Sequence, residues 1–176
     1  MKSLDLLVCL KLSCLDGAEW TYAELAESIG MSASEANASV KRSLCANLLI
    51  APKSSKEKPT SNRRNLLEFV EHGVRYCYSV SPGSTTRGLP TAHSAPPLNG
   101  ILGESNDQTF VWPDPHGSVR GAAVEPLYKS SVYASKKDDQ LYELLALVDA
   151  VRVGRARERK IAVELLTQRL LKSNAD

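Results

Sequence analysis

A chain of 176 residues, 43% hydrophobic and 24% charged, has the make-up of a water-soluble protein with room for one domain and an appendage or for two small domains. No apolar run approaches the length of a membrane span, and Asp5 and Lys11 interrupt the N-terminal apolar stretch, which argues against a secretory leader. The net charge of +2 is modest but uneven: residues 1–40 hold two lysines against six carboxylates (net −4), while residues 41–64 hold seven cations against Glu57 alone (net +6).

Ser3 to Leu15 reads as a first helix with Leu4, Leu7, Val8 and Leu15 inward, closed by Asp16-Gly17. Trp20 precedes the next helix and reads as its core anchor. Thr21 with Glu24 makes a capping box that starts a second helix, whose buried stripe is Leu25, Ala26 and Ile29. Gly30 ends it with a left-handed turn. Met31 plugs the core, and Ser32 with Glu35 forms a second capping box. In the helix that follows, Ala36, Val40 and Leu44 make one inward stripe. Its other face carries Ser34, Asn37, Ala38, Lys41 and Arg42, small and polar at the start and basic towards the end. A helix in the DNA major groove needs that order: short side chains where it nears the bases and cations where it passes phosphates.

On Ala26, Gly30, Met31, Ala36 and Val40, followed by Ala46-Asn47-Leu48-Leu49, this run resembles the helix-turn-helix of winged-helix transcriptional regulators of the MarR-like type. The resemblance covers roughly the first half of the chain. That family usually has Ala-Gly-Leu-Ile in the last four positions, and Asn47 can replace the glycine because asparagine tolerates the left-handed conformation. Ala36 is smaller than the usual valine, and Ser43 stands where leucine is common. The resemblance implies a mainly α fold with a small β-hairpin (α+β) and a homodimer on double-stranded DNA. In it Ser34, Asn37 and Ala38 near the base edges, with Lys41 and Arg42 on phosphates and Ser32 at the helix start.

Leu48–Ala51 reads as a short strand and 52–64 as a polar loop. Residues 65–73 have a helical period, and VRYCYSV (74–80) alternates as a strand does. Two assignments of a wing follow. The helical period of 65–73 favours a hairpin tip at Ser81–Gly88 carrying Arg87, with Leu89–Ser94 as the returning strand. A wing at Lys53–Arg64, carrying Lys53, Lys56 and the Arg63-Arg64 pair, resembles the MarR-like order more closely. Arg63 and Arg64 are expected phosphate contacts in either case.

Residues 95–135 are rich in proline-containing breaks yet hold Phe110, Trp112, Leu127, Tyr128 and Tyr133, which reads as an extended arm packed on some surface. Asp138–Val153 is a strong helix, Gly154 interrupts it, and Arg155–Lys172 is another. The basic strip between them reads first as a solvated face with i,i+4 pairs, and second as a docking strip. The expected division is therefore 1–94 (winged helix-turn-helix), 95–135 (arm) and 136–176 (helices for dimerisation or partner binding), with a second protein possible on residues 95–172.

Cys9, Cys14 and Cys45 sit in apolar helical surroundings as packing residues, and with Cys77 they form no CxxC pair. No phosphate-cradling glycine loop, HExxH or GxSxG is present, and His93 and His116 read as isolated loop residues. The expectation is a cytoplasmic, non-enzymatic DNA-binding regulator without cofactor or metal, a repressor in its simplest form. The alternatives are a protein–protein adaptor or antitoxin-like partner, and an effector sensor with a small pocket near Trp112 and Tyr128.

Overall fold

The computed structural model describes residues 1–15, 17–54, 57–102 and 108–171. Helix α1 (Ser3–Cys14) buries Leu4, Leu6, Leu7, Val8, Cys9, Leu10 and Leu12. A helix apolar all round must be enclosed, not laid on a surface, so the single inward stripe expected of it widens to every side. Both expected capping boxes form. Thr21 Oγ1 accepts from the Glu24 amide at 3.2 Å and starts α2 (Tyr22–Ile29); Ser32 Oγ accepts from the Glu35 amide at 3.2 Å and starts α3 (Ala33–Cys45). Gly30 (φ 74°) and Asn47 (φ 56°) both take the left-handed conformation that ends each helix.

Strand β1 (Leu49–Ile50) pairs antiparallel with β2 (Thr60–Ser61), with Leu49 opposite Ser61 and Ile50 opposite Thr60. The basic run between Ile50 and Thr60 therefore joins the two strands in sequence. The favoured alternative, a tip at Ser81–Gly88, is corrected. Residues 63–72 form α4 (Arg63–His72), capped by the Asn62 side chain, and Val74–Cys77 is a further helical turn, α5, where alternation had suggested a strand. Seven residues of alternation are also compatible with one helical turn that buries Val74 and leaves Tyr76 outside, and packing of α5 on a later helix decides the matter.

Strand β3 (Thr85–Pro90) does exist, but its partners are distant: β4 (Phe110–Pro113) and β5 (Val119–Ala123), both antiparallel to it. β4 and β5 also pair with each other in parallel, closing the three strands on themselves. Gly88 lies where β3 and β4 meet, and a Cβ there would strike the Trp112 carbonyl, so only glycine permits the approach. A 3-10 turn (Ala92–Ser94), α6 (Leu98–Leu102) and α7 (Ser131–Ser135) complete the middle of the chain. The extended arm expected at 95–135 is thus a correction. Its apolar residues form elements that pack on their own chain, with pairing to β3 across more than twenty residues of sequence invisible to any local pattern.

Helix α8 (Asp139–Val153) is buried continuously from Leu144 to Arg152, and α9 (Ala156–Leu171) packs along it. α8 touches α1, α5, α7, α9 and the 3-10 turn. This helix, expected to pair subunits, is an interior helix of its own chain, and packing crosses residue 94 at α1 on α8 and α4 on α9. Within it Asp149 accepts from Thr91 Oγ1 (2.8 Å), Trp112 Nε1 (2.5 Å) and Arg152 Nη1 (2.6 Å). Arg152 also donates to the carbonyls of Tyr78 (2.8 Å) and Glu125 (3.1 Å). Trp112 is fully buried and part of the hydrophobic core. Among the described residues no helix is long and apolar enough to cross a membrane.

Candidate nucleic-acid interface

Helix α3 has two faces of different use. Ala36 and Val40 turn inward, joined by Ser39 and Ser43 where α3 lies on α1. Ser34, Ala38 and Lys41 are exposed and Asn37 half-exposed, and the i, i+3, i+4, i+7 spacing puts all four on one outward side. Together with Ala33 and Tyr22 they line a shallow concavity of about 510 Å³. Tyr22 opens α2, and its ring carries the Lys58 ammonium at 5.3 Å, so the hairpin loop is drawn to the edge of this face. The result is a neutral, hydrogen-bonding centre of small side chains with Lys41 towards the C-terminal end of the helix and Lys58 at one edge.

The expected site residues divide sharply once their neighbours are known. Ser34, Asn37, Ala38 and Lys41 come together as expected. Ser32 is exposed beside them, but its hydroxyl is engaged with Glu35 in the cap, donating to Oε2 at 3.1 Å. Arg42 is bonded inward: its Nε and Nη2 bind Asp5 of α1 at 3.0–3.1 Å and 2.7 Å, so these donors are engaged within the protein. Asp5 is fully buried and also accepts from Ser39 Oγ and the Lys2 amide, each at 2.7 Å. Burial alone would raise its pKa; the donors of Arg42, Lys2 and Ser39 outweigh that and hold it below the ordinary value.

Arg63 is likewise bonded inward. It donates to the Ser13 carbonyl at 3.0 Å and the Leu170 carbonyl at 3.4 Å, in the last turns of α1 and α9, where a cation also meets the negative end of the helix dipole. Arg64, next to it, is exposed at the start of α4, and Lys53 is exposed in the hairpin loop. Lys56 lies outside the described residues. Arg87 is on β3, paired in register with Arg120 of β5, and so belongs to the second sheet and not to a wing. In each adjacent pair of cations, Lys41-Arg42 and Arg63-Arg64, one faces solvent and the other is bonded inward.

Tyr22 and Lys58 were not among the expected site residues. Lys58 was visible only as part of the basic run, while the tyrosine at the first position of an amphipathic helix carried no local signal. The cysteines are free, with Cys9 buried, Cys14 half-buried and Cys45 exposed, so the packing role expected of Cys45 does not hold. Burial pushes the Cys9 and Cys14 thiols up to about 12, which keeps them protonated. No group of three or more His, Cys, Asp or Glu side chains among the described residues is arranged to hold a metal ion. No family model matches the chain, and no curated protein or solved structure matches it either.

Proposed function

We propose that the chain is a sequence-specific regulator that binds double-stranded DNA through the outer face of α3, in the manner of a winged helix-turn-helix protein. The observation that carries this reading is the composition of that face: Ser34, Asn37 and Ala38 at the centre, Lys41 along it and Lys58 brought to its edge by Tyr22. Short polar side chains let a helix lie deep in the major groove, and Asn37 presents both a donor and an acceptor, the pairing that suits an adenine edge. Support also comes from the order of elements, three helices followed by a β1–β2 hairpin with a basic loop. Promoter occlusion by a homodimer is the simplest regulatory mechanism. Because α8 is enclosed in its own chain, a subunit contact would draw on other surfaces, which sedimentation equilibrium would detect.

Fluorescence anisotropy with the DNA upstream of its own coding sequence, against a scrambled duplex of equal length at two salt concentrations, tests the reading. Preference for the native duplex that survives the higher salt supports specific readout. Equal and salt-sensitive binding to both leaves only a basic patch, and no binding to either rejects the reading.

A second reading, a protein–protein adaptor, draws on one observation. Tyr76 is 76% exposed and lines a concavity of about 520 Å³ between α4–α5 and α9 with His72, Arg75, Arg159 and Lys160. Exposed tyrosine beside arginine is a composition favoured in protein interfaces. A stoichiometric partner that co-purifies in high salt and is lost with Tyr76→Ala would favour it.

A further inference from the structure

Helix α7 comes from the part of the chain expected to be an arm, yet it braces the turn between α2 and α3. The Tyr133 ring lies so close to Gly30 that a Cβ there would sit 2.8 Å from Cδ1, and Ser130 Cβ would be 3.6 Å away. Tyr133 Oη reaches the Glu27 carbonyl at 3.4 Å. Gly30 is two residues before the N-cap of α3, so this packing carries the adjoining Lys129 to the N-terminal end of that helix. Lys129 is exposed, lies at 5.8 Å over the Tyr128 ring, and is within electrostatic reach of Glu35 in the first turn of α3. Lys2, exposed at the N-cap of α1, donates its amide to Asp5, the carboxylate that Ser39 and Arg42 of α3 also bind, and so stands on the same flank, within electrostatic reach of Glu35. Glu35 lies on the flank of α3 that faces α1, about 100° around the helix from Ser34; Tyr22 and Lys58 lie on the opposite flank.

The readout face of α3 is therefore bordered by cations on both sides: Lys58 resting on Tyr22, and, on the flank facing α1, Lys129 resting on Tyr128 and Lys2 at the start of α1. A duplex presents that pattern in negative. Its major groove, about 12 Å wide, is walled by two phosphate backbones, so a helix lying in it has one strand on each flank. We propose that Lys129 and Lys2 bind the phosphates of one strand while Lys58 binds the other, so that the C-terminal half of the chain is part of the DNA-binding surface. This inference rests on the DNA-binding reading above, and adds to it that residues 1–94 are an incomplete interface.

The test is the salt dependence of duplex binding by the full chain, using the best-bound duplex from the anisotropy experiment. Each phosphate contact contributes about 0.9 to the slope of log Kobs against log salt concentration. Lys129→Gln and Lys2→Gln are each expected to lower the slope by about that amount, and the double variant by about twice as much. Arg120→Gln, on the three-stranded sheet, removes the same charge and is expected to leave the slope unchanged. Thermal melting of each variant checks folding, and all four positions are exposed or on the surface of the chain. If Lys41→Gln weakens binding while Lys129→Gln and Lys2→Gln match the parent, the inference is overturned and the DNA-binding reading survives. If Arg120→Gln lowers the slope equally, the effect is one of overall charge and the inference is again overturned. If Lys41→Gln also has no effect, both fall together.

Discussion

Helices α3 and α8 both carry polar and charged residues along their length, and they use them in opposite ways. In α8, Asp149 and Arg152 are 1% and 9% exposed and have their hydrogen-bonding groups directed to Thr91, Trp112, Tyr78 and Glu125. They join the three-stranded sheet to the helical core. In α3, Ser34, Asn37, Ala38 and Lys41 line a surface concavity in which polar groups remain available to a partner. Arg42 stands between the two cases, a surface arginine whose donors nevertheless converge on a buried aspartate. The number of charges on a helix thus says little about recognition. What counts is how many of them the rest of the protein has left unpaired.

Breaking the α8 network is expected to have the largest effect. Asp149→Ala leaves Arg152 buried without its carboxylate, and a broken buried pair costs about 3–5 kcal/mol. Urea unfolding reads this directly, while duplex affinity under folding conditions should stay at the parent value. A loss below about 1 kcal/mol would show that the network is peripheral to stability.

Arg42→Ala comes next, at about 1.5–3 kcal/mol for the loss of charge-assisted hydrogen bonds to Asp5. The same pair predicts a pH dependence. Asp5 titrates below its ordinary value in the folded protein, so its contribution is fully present above the unfolded carboxylate pKa of about 3.9 and is lost as pH falls through the lower folded value. Asp5→Asn should flatten the acid limb of the stability profile below that pH, and unchanged acid unfolding would count against the assignment.

Asn37→Ala tests the other region. Loss of a bidentate base contact removes about 1–3 kcal/mol of discrimination at one base pair. Competition with single-position variants of the bound duplex reads it, and a uniform loss on every sequence would argue against base readout. Lys41→Ala should change stability least, by no more than about 0.5 kcal/mol. It should nevertheless reduce the salt slope of binding by about 0.9 on all sequences. Lys41 and Arg42 therefore form an internal contrast, one substitution felt in binding and its neighbour in folding.

Much of the first seventy residues was legible because their signals are local. Capping boxes, a glycine in the left-handed turn and an i, i+4 stripe involve residues within one or two turns of each other; the boxes and the glycine turn formed as read, and the stripe formed at Ala36 and Val40 with Leu44 only half-buried. Asn47 at the end of α3 and the boundaries of α8 belong to the same class. The hairpin was harder because two loops met the local criteria, and only pairing of Leu49 with Ser61 selects between them. The site was half legible. Periodicity alone put Ser34, Asn37, Ala38 and Lys41 on one side, whereas the inward bonds of Arg42 and Arg63 depend on Asp5, Ser13 and Leu170, which are 37, 50 and 107 residues away.

By itself, then, the amino-acid sequence determined where α2, α3 and α8 start and stop and which face of α3 is polar, because caps and periodicity act over a few residues. Tertiary structure alone decided that β3, β4 and β5 close on one another, that α8 is enclosed, and which cations are bonded inward. Those outcomes depend on strand pairing, desolvation and hydrogen-bond partners supplied from far along the chain, and no local pattern encodes them.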